Sequence, residues 1–194
     1  MENRYTNFEF EVGLDESGAG PAFGNVVAAA VIMPKDWTHP FINDSKKVSE
    51  KKREILYDII INDCISYGIG EVSPKEIDEI NILQARFLAM DKAVRKLSVN
   101  PEYLIIDGNR FYNNYHIPFT CLVKGDANYT SIAAASILAK VYRDRQVVEQ
   151  AKTYDKWGLD QHKGYLTKQH IDLLSKNGMS DLHRRSFCKN IIFF

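Results

Sequence analysis

Two carboxylates, Asp15 and Glu16, sit in the run Gly13-Leu14-Asp15-Glu16-Ser17-Gly18-Ala19-Gly20-Pro21, directly after an apolar stretch. A third, Asp107, follows the apolar run Tyr103-Leu104-Ile105-Ile106, and a fourth, Asp126, stands in Lys124-Gly125-Asp126. Acids at the ends of buried strands carry charge that a nearby cation must offset. With few histidines or thiols to join them, oxygen ligands suit hard cations such as Mg²⁺ or Mn²⁺ better than zinc. Four acids suffice for two ions about 4 Å apart, a pair that activates water and steadies a leaving oxygen. Successive strand side chains point to opposite faces, so Asp15 and Glu16 share one site only if the backbone leaves regular strand geometry there. Gly18 and Gly20 permit such a departure. Taken singly, any one of these acids is better explained as a turn residue or a helix cap than as a ligand. Residue types alone therefore reach a metal-assisted hydrolase and stop.

The elements that must position these acids are legible in outline. Phe8, Phe10, Val12 and Leu14 alternate with polar or small residues, which predicts a strand with one buried face that delivers Asp15 and Glu16 at its end. Val26 to Ile32 reads as a buried strand antiparallel to it, and Ile65 to Val72 as another. Ser49 is placed to cap a helix from Glu50 to about Asn62 with Ile55, Leu56, Ile59 and Ile60 as its apolar stripe. Ser73-Pro74 opens a longer helix with a break near Asn81, ended by Pro101. Tyr103 to Ile106 and Phe119 to Val123 are short strands. The alanine-rich stretch from Asn128 to Gln150 predicts one helix, and Lys168 to Asn177 a last one, stopped by Gly178. The order predicts an α/β sheet covered by helices, in one domain spanning residues 1–194.

Composition bounds the function without naming it. At 194 residues the chain can bury roughly 70% of its unfolded surface. Its 45% hydrophobic and 26% charged content excludes intrinsic disorder. No apolar run approaches the ~20 residues of a membrane span, and Met1 to Tyr5 lacks a secretory signal's apolar stretch, so a cytoplasmic, membrane-free protein is expected. Cys64, Cys121 and Cys188 are odd in number and lack C-x-x-C spacing, which predicts reduced, buried thiols. Lys plus Arg and Asp plus Glu balance at 25 each, so no global positive field advertises a polyanionic partner. From Lys140 onward, however, 11 basic residues face 6 acidic ones, a basic flank beside an acidic site.

The opening block, together with Asp44-Ser45-Lys46-Lys47, Ile106-Asp107-Gly108, Lys124-Gly125-Asp126, Ser131 through Lys140 with Arg143-Asp144, His162-Lys163-Gly164-Tyr165, and His183-Arg184-Arg185-Ser186-Phe187, resembles the ribonuclease HII family in order and approximate spacing. The resemblance spans nearly the whole chain. It implies a ribonuclease H-like mixed β-sheet flanked by helices, with a C-terminal helical segment that grips a duplex. It implies two Mg²⁺ or Mn²⁺ ions held by the catalytic acids Asp15, Glu16, Asp107 and Asp126. The implied activity is cleavage of the RNA strand of RNA/DNA hybrids and incision 5′ of ribonucleotides embedded in duplex DNA.

Telling RNA from DNA requires a group that senses the 2′-hydroxyl. By the same resemblance this falls to the glycine loop, Gly18, Ala19 and Gly20, and to Tyr165. Lys46, Lys47, Lys140, Arg143 and Lys163 stand in matched blocks as phosphate contacts. Ala19 departs from the family, which usually carries Arg between the glycines, so a guanidinium that would hold phosphate or sugar oxygens is missing. That departure keeps open a weakened or non-catalytic hybrid-binding protein. The balanced charge leaves a small-molecule phosphohydrolase as a further rival; the ribonuclease HIII branch carries an additional N-terminal domain, whereas fourteen residues precede Asp15 here. Asp144 is expected to pair with neighbouring bases, and His162, His170 and His183 to pack or face solvent. The apolar end, Ile191 to Phe194, either packs on the domain or docks on a sliding clamp. A monomer is expected.

Overall fold

The computed structural model describes residues 1–43, 45, 47–112 and 116–192. Five strands form one mixed sheet in the order β3-β2-β1-β4-β5: β1 Glu11–Ser17, β2 Val26–Ile32, β3 Ser66–Val72, β4 Tyr103–Asp107 and β5 Phe119–Leu122. β1, β2 and β3 form an antiparallel meander, while β1–β4 and β4–β5 are parallel. Helices α1 Glu50–Asp63, α2 Pro74–Val94 and α4 Thr130–Ala151 cover the sheet, and the short α3 Gly125–Asn128 follows β5. Beyond α4 the chain folds into a C-terminal segment with α5 Leu159–His162 and α6 Lys168–Asn177. This is the mixed sheet flanked by helices that the sequence predicts. No helix among the described residues is long and apolar enough to cross a membrane.

The period-2 pattern sorts the core into two layers. Val12 and Leu14 of β1 face α2 together with Val26, Ala28 and Ala30 of β2. Val27, Ala29 and Val31 face α1 and the alanine-rich side of α4. The alanines let helix and sheet approach closely. At Gly13 a Cβ would lie 2.2 Å from the carbonyl carbon of Ser131, so α4 rests on β1 with no room for a side chain. β3 meets α2 in the same way through Gly68 and Gly70.

Four local expectations are corrected. β1 begins at Glu11 rather than Phe8, because the Glu11 carboxylate accepts hydrogen bonds from the Tyr5 and Thr6 N–H groups and ties the preceding chain into a turn. In α1, Ile55 is exposed and Tyr57 is buried with Leu56 and Ile60. The helix predicted from Asn128 to Gln150 is divided at Tyr129, whose φ −122° and ψ 131° are extended, leaving Asp126 on the separate turn α3. Of the three free cysteines only Cys188 is buried; Cys64 and Cys121 are half-buried. The break near Asn81 is present, with φ 66° inside α2, and Ser73 and Glu76 close a reciprocal capping box at its start.

Candidate active site

Asp15 leaves β1 on the α4 side and is 6% exposed. Burial first, then the negative charges of Glu16 and Asp107, hold its pKa well above the ordinary carboxylate value. A hydrogen bond from its neighbour, Glu16 N to Asp15 Oδ1 at 2.7 Å, and a contact with Ser136 of α4 work in the opposite direction. Ser136 in turn lies 2.8 Å, Oγ to Oγ, from Ser45. Glu16 leaves the opposite face of β1 and meets Arg86 of α2, with Nη2 2.6 Å from Oε1.

The backbone departure expected between Asp15 and Glu16 is absent: β1 keeps its register with β2 through Ser17 and Val27. Parallel pairing between β1 and β4 instead ends at Leu14 and Ile106. Beyond that point the two strands have no ladder between them, and both faces of β1 open onto one cleft of about 340 Å³. Asp15, Glu16 and Asp107 line it, with Gly18, Ala19, Gly20, Lys140 and Tyr165 around its mouth. A larger groove of about 730 Å³ beside Tyr57, Tyr67 and Lys96 at the β3 edge has no carboxylate in its lining.

Asp107 ends β4 and accepts hydrogen bonds from Gly125 N at 2.8 Å and Asp126 N at 3.5 Å. Asp126 is buried in α3 behind Asp107 and does not line the cleft. Among the described residues no three acids, histidines or cysteines are gathered closely enough to hold a metal ion as they stand. Glu16 is instead paired with Arg86, and Asp126 is not among the residues that line the cleft.

The remaining residues singled out in the sequence divide sharply. Tyr165 is 46% exposed, and its Cε1 would lie 3.4 Å from a Cβ at Gly20, so ring and glycine loop share one surface. Lys140 pairs with Asp144 at 3.0 Å, Lys47 is exposed, and Lys163 is half-buried with φ 51°. Lys46, like Asp44, lies outside the described residues. Arg143 is not on the surface: it is 1% exposed and donates to Lys163 O at 2.8 Å and Phe23 O at 3.3 Å. A guanidinium spent on backbone carbonyls beneath the loop is not presented to a phosphate.

Sequence reasoning passed over Arg184. It is fully buried and donates to Gly18 O, Ala19 O and Gly24 O, so the end of the chain holds the glycine loop. Its block was visible in the sequence, but burial of an arginine has no local signature. Nearby, His162, His170 and His183 form a buried relay. The His162 and His170 rings stack at 4.3 Å, and His170 Nε2 lies 3.1 Å from His183 Nε2. Donation from Ser180 N to His183 Nδ1 leaves Nε2 of His183 as the protonated nitrogen that donates to His170.

A mixed sheet of this strand order, with acids where its central parallel pair opens, defines a ribonuclease H-type hydrolase. Ribonuclease H2 from Pyrococcus horikoshii OT3 superposes with TM-score 0.77 at 26% identity, covering 91% of this chain and 92% of that one. The ribonuclease HII of the PCNA:RNase HII complex from Archaeoglobus fulgidus gives TM-score 0.74 at 23% identity, covering 93% and 94%. Bst-RNase HIII in complex with Mn²⁺ shares the fold at TM-score 0.60 and 20% identity, over 74% of this chain and 54% of that one. The Ribonuclease HII family profile matches residues 12–190, and the chain belongs to that family, which makes it a metal-dependent hydrolase of the ribonuclease H type. Similar relatives are ribonuclease HII of Endomicrobium trichonymphae, 51% identical over 90% of this chain and 83% of that protein, and of Porphyromonas gingivalis, 51% identical over 91% and 88%.

Proposed function

We propose that the protein, acting as a single-domain monomer in the cytoplasm, hydrolyses the RNA strand of RNA/DNA hybrids and incises duplex DNA 5′ of an embedded ribonucleotide. Products carry 5′-phosphate and 3′-hydroxyl ends. The observation that carries the reading is the opening of Asp15, Glu16 and Asp107 onto one cleft beside the glycine loop and Tyr165.

Asp15, Glu16, Asp107 and Asp126 are the residues that would hold two Mg²⁺ or Mn²⁺ ions. The donor set fits: it is all oxygen, and the burial and like charges that raise the Asp15 pKa are what a divalent cation relieves. When bound, the ions supply an activated water for in-line attack and positive charge for the leaving 3′-oxygen. Tyr165 and the backbone of Gly18, Ala19 and Gly20 orient the ribonucleotide and sense its 2′-hydroxyl. Lys46, Lys47, Lys140 and Lys163 contact phosphates, whereas Arg143 acts from beneath the loop. Ala19 removes one guanidinium from the contact surface but leaves the loop backbone in place, which favours an active enzyme with a reduced grip over a purely binding protein.

A sliding clamp is proposed as a partner of the C-terminal tail, by analogy with the archaeal complex. Ile191 packs near Ala22 and Leu174, Ile192 is exposed, and Phe193 and Phe194 lie outside the described residues.

The test is a labelled DNA duplex containing one ribonucleotide, incubated with and without Mg²⁺ or Mn²⁺. Metal-dependent incision on its 5′ side is expected. Cleavage of a long hybrid without that incision would retain the nuclease and remove junction recognition; silence on both would leave a binding protein.

A further inference from the structure

Arg184 donates four hydrogen bonds to backbone carbonyls between Gly18 and Gly24. Its Nη2 donates to Gly18 O at 2.7 Å and Gly24 O at 2.8 Å, its Nε to Gly24 O at 3.0 Å, and its Nη1 to Ala19 O at 3.3 Å. Carbonyls at both ends of the loop thus converge on one guanidinium from the far end of the chain. Arg143 lies beside it, with its Cδ and Nε only 2.6 and 2.5 Å from where a Cβ on Gly18 would stand.

Two buried cations beneath one turn are costly. Burial, then the charge of Arg143, brings the Arg184 pKa down to about 9, and Asp78 offsets part of this. The guanidinium is retained there by the carbonyls it satisfies, which an apolar side chain would leave without this donor.

A consequence follows from peptide geometry. Among the described residues there are no cis peptide bonds, and in a trans unit the N–H points opposite to the preceding C=O. The carbonyls of Gly18 and Ala19 point inward to Arg184, so the N–H groups of Ala19 and Gly20 point away from it; Tyr165 lies against the same loop, its Cε1 3.4 Å from where a Cβ on Gly20 would stand. Neither N–H donates a hydrogen bond among the described residues. A charge-assisted bond at the carbonyl also polarises the peptide and strengthens its N–H as a donor.

We propose that Arg184 is a positioning residue for ribonucleotide recognition: its grip on the Gly18 and Ala19 carbonyls aims and polarises the Ala19 and Gly20 N–H groups toward the ribonucleotide. It supplies from beneath the loop part of the positive field that Ala19 does not supply from above. The segment bearing it is tied down by hydrogen bonds on both sides of Arg184. Asp78 accepts from the N–H groups of Arg185 and Ser186, and His183 is locked by His170 and Ser180. The proposal rests on the function given above.

Arg184→Lys and Arg184→Gln are compared with the unaltered protein, using a duplex with one ribonucleotide and an all-DNA duplex of the same sequence. KM and kcat are measured for incision, and Kd for both duplexes in the absence of divalent ions. The unaltered protein is expected to incise and to prefer the ribonucleotide duplex. The variants should raise KM by about tenfold or more, as loss of a charged hydrogen bond does, with kcat less affected, Gln worse than Lys, and the duplex preference falling toward one. Folded variants with unaltered KM and preference would overturn the proposal while leaving the enzyme's function intact. An unaltered protein without incision or preference would remove the functional reading, and this proposal with it. Should neither variant fold, the amide resonances of Ala19 and Gly20 in the unaltered protein decide: they must shift with the ribonucleotide duplex and not with the all-DNA duplex, and equal shifts overturn the proposal.

Discussion

Asp107 Oδ1 accepts a hydrogen bond from Gly125 N at 2.8 Å, which ties the end of β4 to the turn that carries Asp126. The turn is tight. A Cβ at Gly125 would meet Ile132 Cδ1 at 2.6 Å, and Lys124 takes a left-handed conformation at φ 59° to enter it. Two acids 19 residues apart are thereby tied together, with Asp107 lining the cleft beside Asp15 and Asp126 set back from it.

Asp107→Asn tests that arrangement. The amide keeps the shape and one acceptor for Gly125 N–H but loses the charge that would hold a cation. Incision should fall by several orders of magnitude with duplex binding largely intact, read by single-turnover kinetics beside a binding assay. Retained activity would exclude Asp107 from the catalytic set.

Arg86 holds Glu16 through a 2.6 Å ion pair that would compete with an ion bound at the proposed site. Arg86→Gln removes both that competition and a local positive charge. Mn²⁺ should bind severalfold more tightly by calorimetric titration; unchanged or weaker binding would show that Glu16 does not contribute to the ion site.

Gly13→Ala places a Cβ about where the Ser131 backbone already is, at 2.2 Å from its carbonyl carbon. α4 must move off β1, at a cost of at least about 2 kcal/mol. A lowered urea midpoint with an unchanged m-value is the expected result. A midpoint equal to that of the unaltered protein would mean that α4 and β1 are less closely packed than described.

The histidine relay makes the C-terminal segment acid-sensitive. Burial first, and then the neighbouring histidines, lowers the His183 pKa to about 3; burial lowers that of His170 to about 4. Both are neutral when folded and take up protons near pH 6.5 when unfolded. Their contribution to stability is therefore complete above about pH 6.5 and is lost progressively as pH falls toward 4 and then 3. Asp181 opposes the shift at His183. Unfolding free energies from pH 7.5 down to 4.5 should fall more steeply for the unaltered protein than for His183→Gln; parallel curves would exclude the relay as the cause.

Ala19→Arg restores the guanidinium that the family usually carries. Duplex affinity should rise, and the slope of log K against log salt should steepen by about one phosphate contact. An unchanged slope would mean that position 19 does not reach the backbone of the substrate.

Elements whose cause lies within a few neighbouring residues were legible. β2 followed from its apolar run, α6 from its span to Gly178, and the start and kink of α2 from Ser73-Pro74 and Asn81. The start of β1 was not, because the Glu11 carboxylate draws the preceding residues into a turn that the Phe8–Leu14 alternation does not reveal. The break at Tyr129 was hidden by the high helix propensity on its C-terminal side. There the N-terminal chain intervenes, with Glu2 N donating to Asn128 O and Thr130 N to Glu2 O.

For the site, the amino-acid order by itself singled out the candidates: Asp15, Glu16 and Asp107, the glycine loop and Tyr165 stand in short motifs, and all of them line one cleft. Only the tertiary structure decided how they are disposed. It opened one cleft to both faces of β1 by ending the β1–β4 ladder, set Glu16 against Arg86, and drew Arg143 and Arg184 beneath the loop. The reason is one of range. Periodicity, caps and turns are written over a few adjacent residues, whereas the contacts that set the site here join residues 20 to 166 positions apart, and a charged side chain looks the same in sequence whether it meets solvent or a carbonyl.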